Sequence, residues 1–406
     1  MELTFRPVSG EGFDTFARAV ERAFGEVPTR EELDLWRTAF EPARSLAALD
    51  GDQIVGTTAA ESLVLTVPGA ALPMAGVTAV GVLPSHRRRG ILRELMRRQL
   101  EDVHELGEPL AGLWASESSI YGRFGYGMAA RSARLQIDRE RTAFIRPYEP
   151  GGRMVLEEKE KALEIMPSVY DRVLRGQPGM FGLSSAHWQI RVADLESSRE
   201  GASPLFFALY ESGDGVDGYV TYRLKHDWNA DDIPAGTVKV QELMAATTDA
   251  YAALWQYCFG IDLRKTIEAR FRPMEEPLQY MLAEPRQLRM SVSDSLWLRP
   301  VDVAASLAGR RYSSPGRLVF EVHDAFCPWN EGRYELEGGP DGAQCRHTES
   351  APDLVLEAAD LGAAYLGGAR FHTLNRAGRV SGEPSALLLA DTMFGWDPLP
   401  WCPVVF

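Results

Sequence analysis

Between a valine-rich run and a helix-like segment the chain reads VGVLPSHRRRGIL, Val80 to Leu92. Three consecutive arginines, Arg87, Arg88 and Arg89, stand directly before Gly90. A charge run alone is a solvated turn, but the position of this one adds chemistry. The first N–H groups of a helix have no intrahelical partner, and the helix dipole favours an anion in front of them. A glycine lets a ligand approach the main chain. Flanking guanidiniums add charge-assisted hydrogen bonds to phosphate oxygens. These are the parts of a pyrophosphate cradle. It is not a Walker loop, because G-x-x-x-x-G-K-[ST] is absent, and one glycine does not make a dinucleotide fingerprint.

Two other stretches carry groups able to move protons. In WASESSIYGRFGYG, Ser116 and Glu117 precede Tyr121 and Tyr126. A phenol with a pKa near ~10 stays protonated at neutral pH and can protonate a leaving group. The Ser116-Glu117 pair equally suits the capping of a turn. The chain end, PLPWCPVVF, has no charged side chain. Pro398, Pro400 and Pro403 reduce the entropy lost when it is fixed. Trp401, Val404, Val405 and Phe406 give it apolar surface to bury. A tail that docks brings its α-carboxylate with it, and apolar surroundings raise that carboxylate from ~3.5 and make it a better base. Docking for packing alone, or to seal a subunit interface, is the other outcome.

The elements that must position these groups follow from periodicity. LTFRPV reads as a strand. Phe13, Phe16, Ala17, Val20 and Phe24 fall at helical spacing. Thr29 and Glu32 have capping-box spacing and open a second helix. SLAALDGDQIVGTTAAESLVLTV is two or three strands turning at Asp50-Gly51-Asp52. AGVTAVGVLP is a further strand, stopped by Pro84. Ile91, Leu92, Leu95, Met96, Leu100 and Val103 make the stripe of a long helix ended by Gly107. PLAGLWAS is the next strand. After about residue 132 the pattern restarts: a helix in KALEIMPSVYDRVLRG, a hairpin across GDG, the strand TVKVQELMA and the helix TDAYAALWQYCFG. A third region begins near LWLRPVDVAASLAGRRY and continues with strands and apolar helices.

Composition bounds the rest. At 406 residues, two or three domains are expected. A net charge of −14 disfavours nucleic acid as a partner and is compatible with cationic substrates. The four cysteines are scattered and the seven histidines form no H-x-x-x-H pair, so we expect a reducing compartment, the cytoplasm, and no metal. No run of about 18 apolar residues predicts a membrane span, and the N-terminus does not read as a signal peptide.

The quoted motifs resemble GNAT acetyltransferases. Arg87-x-x-Gly90-x-Leu92 fits the first two positions of their acetyl-CoA loop, [QR]-x-x-G-x-[GA], and departs from the third at Leu92. Together with ASESSIYGRFGYG and the apolar WCPVVF end, the chain is similar over its whole length to the Eis family of bacterial N-acetyltransferases. The resemblance implies an α/β (α+β) fold with three parts. Residues 1–132 would be a catalytic GNAT domain, 133–290 a degenerate GNAT-like domain without the cofactor loop, and 291–406 a sterol-carrier-protein-like domain. It implies acetyl-CoA held by Val80, Gly81 and Val82, by Arg87, Arg88, Arg89, Gly90, Ile91, Leu92 and Arg93, and by Ser116 and Glu117. It implies Tyr121 as proton donor, with Tyr126 competing, and the Phe406 carboxylate as base. Phe24, Glu26 and Trp36 would border the acceptor cleft. The expected activity is direct acetyl transfer in a ternary complex to small polyamines such as aminoglycosides, by a homo-hexamer. A protein lysine acetyltransferase and a non-catalytic lipid carrier are the competing readings.

Overall fold

The computed structural model describes residues 3–406 and contains three sheets. The first has seven strands. In spatial order they are β1 (Thr4–Arg6), β2 (Ser45–Asp50), β3 (Gln53–Val67), β4 (Ala70–Val82), β5 (Leu110–Trp114), then β14 (Leu296–Pro300) and β6 (Gly127–Met128). Helices α1 (Phe13–Phe24) and α2 (Arg30–Ala39) join β1 to β2, and α3 (Ile91–Glu105) crosses from β4 to β5. The expected capping box is present: the Thr29 hydroxyl accepts from the Glu32 N–H, and the Glu32 carboxylate accepts from the Thr29 N–H. The short helix α4 (Ser118–Tyr121) follows β5.

The second sheet repeats the order: β8 (Arg153–Glu157), β9 (Phe206–Ser212), β10 (Gly215–Lys225), β11 (Gly236–Ala245), β12 (Arg264–Arg272), then β7 (Arg131–Asp138) and β13 (Arg289–Asp294). Helices α5 (Lys159–Leu174) and α6 (Ser185–Arg191) precede β9, α7 (Thr248–Gly260) crosses from β11 to β12, and α8 (Leu278–Met281) follows β12. The two sheets exchange strands. β7 follows β6 in the chain but inserts beside β12. β14 follows β13 but inserts between β5 and β6. The stretch LWLRP, which opens the third region in sequence, is therefore a strand of the first sheet. At the crossing the N–H groups of Ala129 and Ala130 donate to the Leu296 carbonyl, and Ser295 N–H donates to the Ala130 carbonyl.

The third sheet runs β17 (Gly342–His347), β16 (Gly332–Gly339), β15 (Gly316–His323), β18 (Leu354–Glu357) and β19 (Val380–Gly382). It is accompanied by α9 (Val303–Ala308), α10 (Ala358–Ala364), α11 (Phe371–Arg376) and α12 (Pro384–Phe394). α10 lies backbone to backbone against the first sheet. A Cβ on Gly127 would lie 1.8 Å from the Ala359 carbonyl oxygen, and one on Gly362 2.2 Å from that of Leu298. Among the described residues, no helix is long and apolar enough to cross a membrane.

Leu296 is fully buried at the point where the two sheets exchange strands. Leu296→Ala should cost about 2–5 kcal/mol and lower the thermal midpoint by roughly 2–6 °C. The exposed Leu388→Ala, in the third unit, should leave the midpoint unchanged in the same calorimetric scan.

Candidate active site

Parallel strands β4 and β5 pair only from Met74–Leu110 to Gly76–Gly112. Beyond Gly76, β4 bends: Ala79 adopts φ +54°, and the register against β3 shifts there. The strands part, and the second half of β4 shows its main chain to the gap. A cavity of about 730 Å³ lies at this opening. Val80, Gly81 and Val82 form one wall, and Ser116, Glu117 and Tyr121 another. Arg87, Arg88, Gly90, Ile91, Leu92 and Arg93 close the end at the start of α3. Phe24 stands at the rim, half exposed. Arg89 is exposed and lies outside the lining.

The turn before α3 is fastened from several sides. His86 Nε2 lies 3.1 Å from Asp50 Oδ2, and its Nδ1 lies 2.8 Å from Ser85 Oγ. Arg87 donates to the carbonyls of Val82 and Ala23, at 3.3 Å each. One of the three arginines is thus a lashing between β4 and α1 as well as a cavity residue. Arg88 and Gly90 both have positive φ, +60° and +80°. Open space surrounds the Gly90 Cα, and no side chain caps the helix. The first intrahelical bond runs from Glu94 N–H to the Gly90 carbonyl. The N–H groups of Ile91, Leu92 and Arg93 are therefore left to a ligand or to water.

The structure separates the two tyrosines. Tyr121 lines the cavity, and burial pushes its phenol above the ordinary value, with Glu117 adding to the rise and a hydrogen bond with Ser116 opposing it. Tyr126 packs edge-on against the Tyr121 ring, 6.3 Å between centroids, but is wholly buried beneath it. Desolvation drives its phenol far up. The Tyr121 loop rests on a residue that sequence inspection missed. Arg299, on the exchanged strand β14, is completely buried. It donates to the Phe124 carbonyl at 2.5 Å and to Asp324 Oδ2 at 2.6 Å. Its guanidinium fills the space of a side chain at Gly125, φ +82°, where a Cβ would overlap it. No local signal marks Arg299, because its partners lie 175 positions before and 25 after it in the chain.

The chain end docks, as its composition predicts. Trp401 N–H donates to the Pro178 carbonyl, and Trp114 Nε1 donates to the Val404 carbonyl at 2.9 Å. Phe406 packs edge-on against Phe181, 5.2 Å between centroids, and over Gly76, the last β4 residue paired with β5. Any larger residue at Gly76 would meet the Phe406 ring at 3.1 Å. Glu26 and Trp36 do not join the main cavity. They line a second one of about 510 Å³ with Glu21, Glu32, Val27 and Leu33. The Trp36 ring also packs against Phe13, Phe16 and Phe40. Burial, then the neighbouring Glu26 and Glu32, raise the Glu21 carboxyl.

Known proteins share this arrangement. Residues 4–129 and 179–300 each match a family described as an acetyltransferase (GNAT) domain, and residues 303–403 match a sterol carrier protein domain. An uncharacterized N-acetyltransferase of Streptomyces avermitilis is 44% identical over 386 residues, 94% of either chain. The N-acetyltransferase Eis of Mycobacterium tuberculosis is 33% identical over 384 residues, 90% of either chain. The crystal structure of Eis1 from Mycobacterium abscessus superposes with a TM-score of 0.86 at 32% identity, covering all of both chains.

Removing Arg299 should leave Asp324 buried and unpaired. Arg299→Met is expected to lose about 3–5 kcal/mol in chemical denaturation. The double variant Arg299→Met with Asp324→Asn should regain part of it, because no lone charge remains and an amide oxygen can still accept from the Cys327 N–H.

Proposed function

The chain belongs to the Eis family of GNAT N-acetyltransferases, and from that premise we propose how its residues divide the transfer of an acetyl group from acetyl-CoA to an amine. The observation that carries the proposal is one cavity. It gathers the β4 main chain, the arginine–glycine turn and a protonated phenol between two parting strands. The residues fit acetyl-CoA, which supplies an activated thioester. Unpaired N–H groups at the α3 start, with Arg88 and Arg93, suit its pyrophosphate. The main chain of Val80 to Val82 suits the amides of its pantetheine arm.

In this reading the amine attacks the thioester directly within a ternary complex, and no enzyme-bound acyl group forms. Holding the two reactants together supplies several kcal/mol of the barrier. The amine arrives as an ammonium ion and must lose a proton. The Phe406 carboxylate takes it, directly or through a water. Tyr121 gives a proton to the departing thiolate and recovers one from the nitrogen of the new amide, which still carries an extra proton after attack; its raised pKa keeps the phenol protonated at neutral pH. The acceptor is a small polyamine such as an aminoglycoside. Support comes from Glu21, Glu26 and Glu32 around the cavity beside Trp36, between the end of α1, which also carries Phe24, and α2.

The divisions 1–132, 133–290 and 291–406 act as a catalytic unit, a silent unit and a sterol-carrier-like unit that supplies the terminal carboxylate and lends β14 to the first sheet. In the second, Ala246 and Thr247 lead directly from β11 into α7, with no arginine–glycine turn. The third has a cavity of about 620 Å³, but Arg370, His372, Arg376 and Asp391 contribute to its wall, which weighs against lipid carriage. We place the enzyme in the cytoplasm as a homo-hexamer without nucleic-acid partners. The exposed Trp228, Ile233 and Leu263 of the second unit offer apolar surface for such an assembly.

A panel of amines scored by CoA release tests the activity and finds the acceptor; no release above background with any amine would remove it. Arg88→Ala should raise the acetyl-CoA KM by about tenfold or more with little change in thermal stability. An unchanged KM would reduce the turn to a solvated one. Tyr121→Phe should lower kcat by roughly 10²-fold with acetyl-CoA affinity retained, and Tyr126→Phe should be milder. The reverse order would move the acid. Two glycines appended after Phe406 convert its carboxylate to an amide. Activity should collapse while folding and acetyl-CoA binding persist.

A further inference from the structure

The second sheet has the same parting of strands as the first, but here side chains fill it. β11 and β12 pair in parallel from Gly236–Arg264 to Val240–Ala269 and then separate. Arg272, at the end of β12, reaches across and donates to the Leu243 carbonyl of β11 at 2.7 Å. It also donates to Glu276 Oε2 at 2.9 Å, and both side chains are buried. Its guanidinium lies 5.7 Å from the Trp255 ring centroid of α7 and 5.4 Å from that of Trp401 in the C-terminal tail. Such cation–π contacts are stronger when desolvated.

Phe271 extends this arrangement to the chain end. It adopts φ +53°, a conformation costly for an aromatic residue, and the β12 register against β7 is irregular there. In that conformation its carbonyl accepts from Trp401 Nε1 at 2.6 Å. Its ring packs edge-on against Trp114, 5.4 Å between centroids. Trp114 in turn holds the Val404 carbonyl, two residues before the terminus. Every contact in this chain of five residues lies between groups remote in sequence, and each is directional.

We propose that the end of β12 in the second unit is a clamp for the C-terminal tail, with Arg272 and Phe271 as positioning residues that act through Trp401 and Trp114 on the Phe406 carboxylate. The inference rests on the reading of that carboxylate as the base. It gives the silent unit a part in the reaction: the space that would have admitted a cofactor is used to fix the tail of the same chain at the neighbouring site. A base on a free chain end would lose its alignment with the ammonium, and a misplacement of about 1 Å can cost up to ~10²-fold.

The test measures kcat, the acetyl-CoA KM and the thermal midpoint in two backgrounds, the native terminus and the terminus extended by two glycines. Trp401→Phe keeps an aromatic ring over Arg272 and removes the donor to Phe271. With the native terminus it should lower kcat by about tenfold or more, with KM within about twofold. In the extended background it should lower the residual rate no further, because the carboxylate it positions is already gone. The pair Arg272→Met with Glu276→Gln leaves no lone buried charge and should show the same pattern, which covers the case in which Trp401→Phe folds poorly. Equal losses in both backgrounds would mean general structural damage and overturn the proposal. So would an unchanged kcat in both variants with the native terminus. Full activity of the extension alone would instead sink the carboxylate reading itself, and the clamp with it.

Discussion

Two parallel strands pair through three residues and then part, and the candidate site depends on that separation. Pairing of β4 with β5 stops at Gly76–Gly112. Past that point the amide and carbonyl groups on one side of β4 have no sheet partner, which a buried strand does not tolerate without a ligand or water. The bend at Ala79 turns this edge toward the start of α3, where more N–H groups are unpaired. At the last paired residue, Phe406 packs over Gly76, where a Cβ would come within 2.5 Å of Leu63 Cδ1 and 3.1 Å of the Phe406 ring. One geometric event therefore supplies the open edge of β4 and the cavity beside it, next to the berth of the chain end.

Strand exchange makes the rest of the molecule part of that site. β14 enters the first sheet between β5 and β6, carrying Arg299 under the Tyr121 loop, and Arg299 is neutralised by Asp324 of the third unit. The ion pair is buried, so its value lies less in net stability than in the cost of breaking it. The first unit is thus not self-sufficient. Its sixth strand comes from beyond the second unit, the Tyr121 loop rests on Arg299 paired with Asp324 of the third, and the chain end reaches it lying on residues 177–181 of the second.

What could be read in the chain follows the range of the interactions involved. The α1 and α2 helices, the Thr29–Glu32 capping box, the hairpin at Asp50-Gly51 and the long helix after Gly90 appear where periodicity and capping put them, because those signals span a few residues. The arginine–glycine turn and Tyr121 sit in one cavity, as the family resemblance implied, and strand, turn and helix are consecutive in sequence. Glu26 and Trp36 fell away from that cavity, since helical spacing says which face is apolar and not which of two adjoining hollows it borders.

By itself, then, the sequence determined the family and the three-part organisation, through the resemblance of its motifs, and an arginine–glycine turn before a helix and an apolar terminus able to dock. Local propensity and short-range spacing suffice for the last two. Only the tertiary structure decided that Tyr121 lines the cavity while Tyr126 is buried, that Arg87 is partly a lashing, and that β7 and β14 change places. It alone joined Arg299 to Phe124 and Arg272 to Trp401. Each of these depends on contacts between residues at least 64 positions apart, or on which of two equally suitable side chains the packed core covers, and no local pattern encodes either.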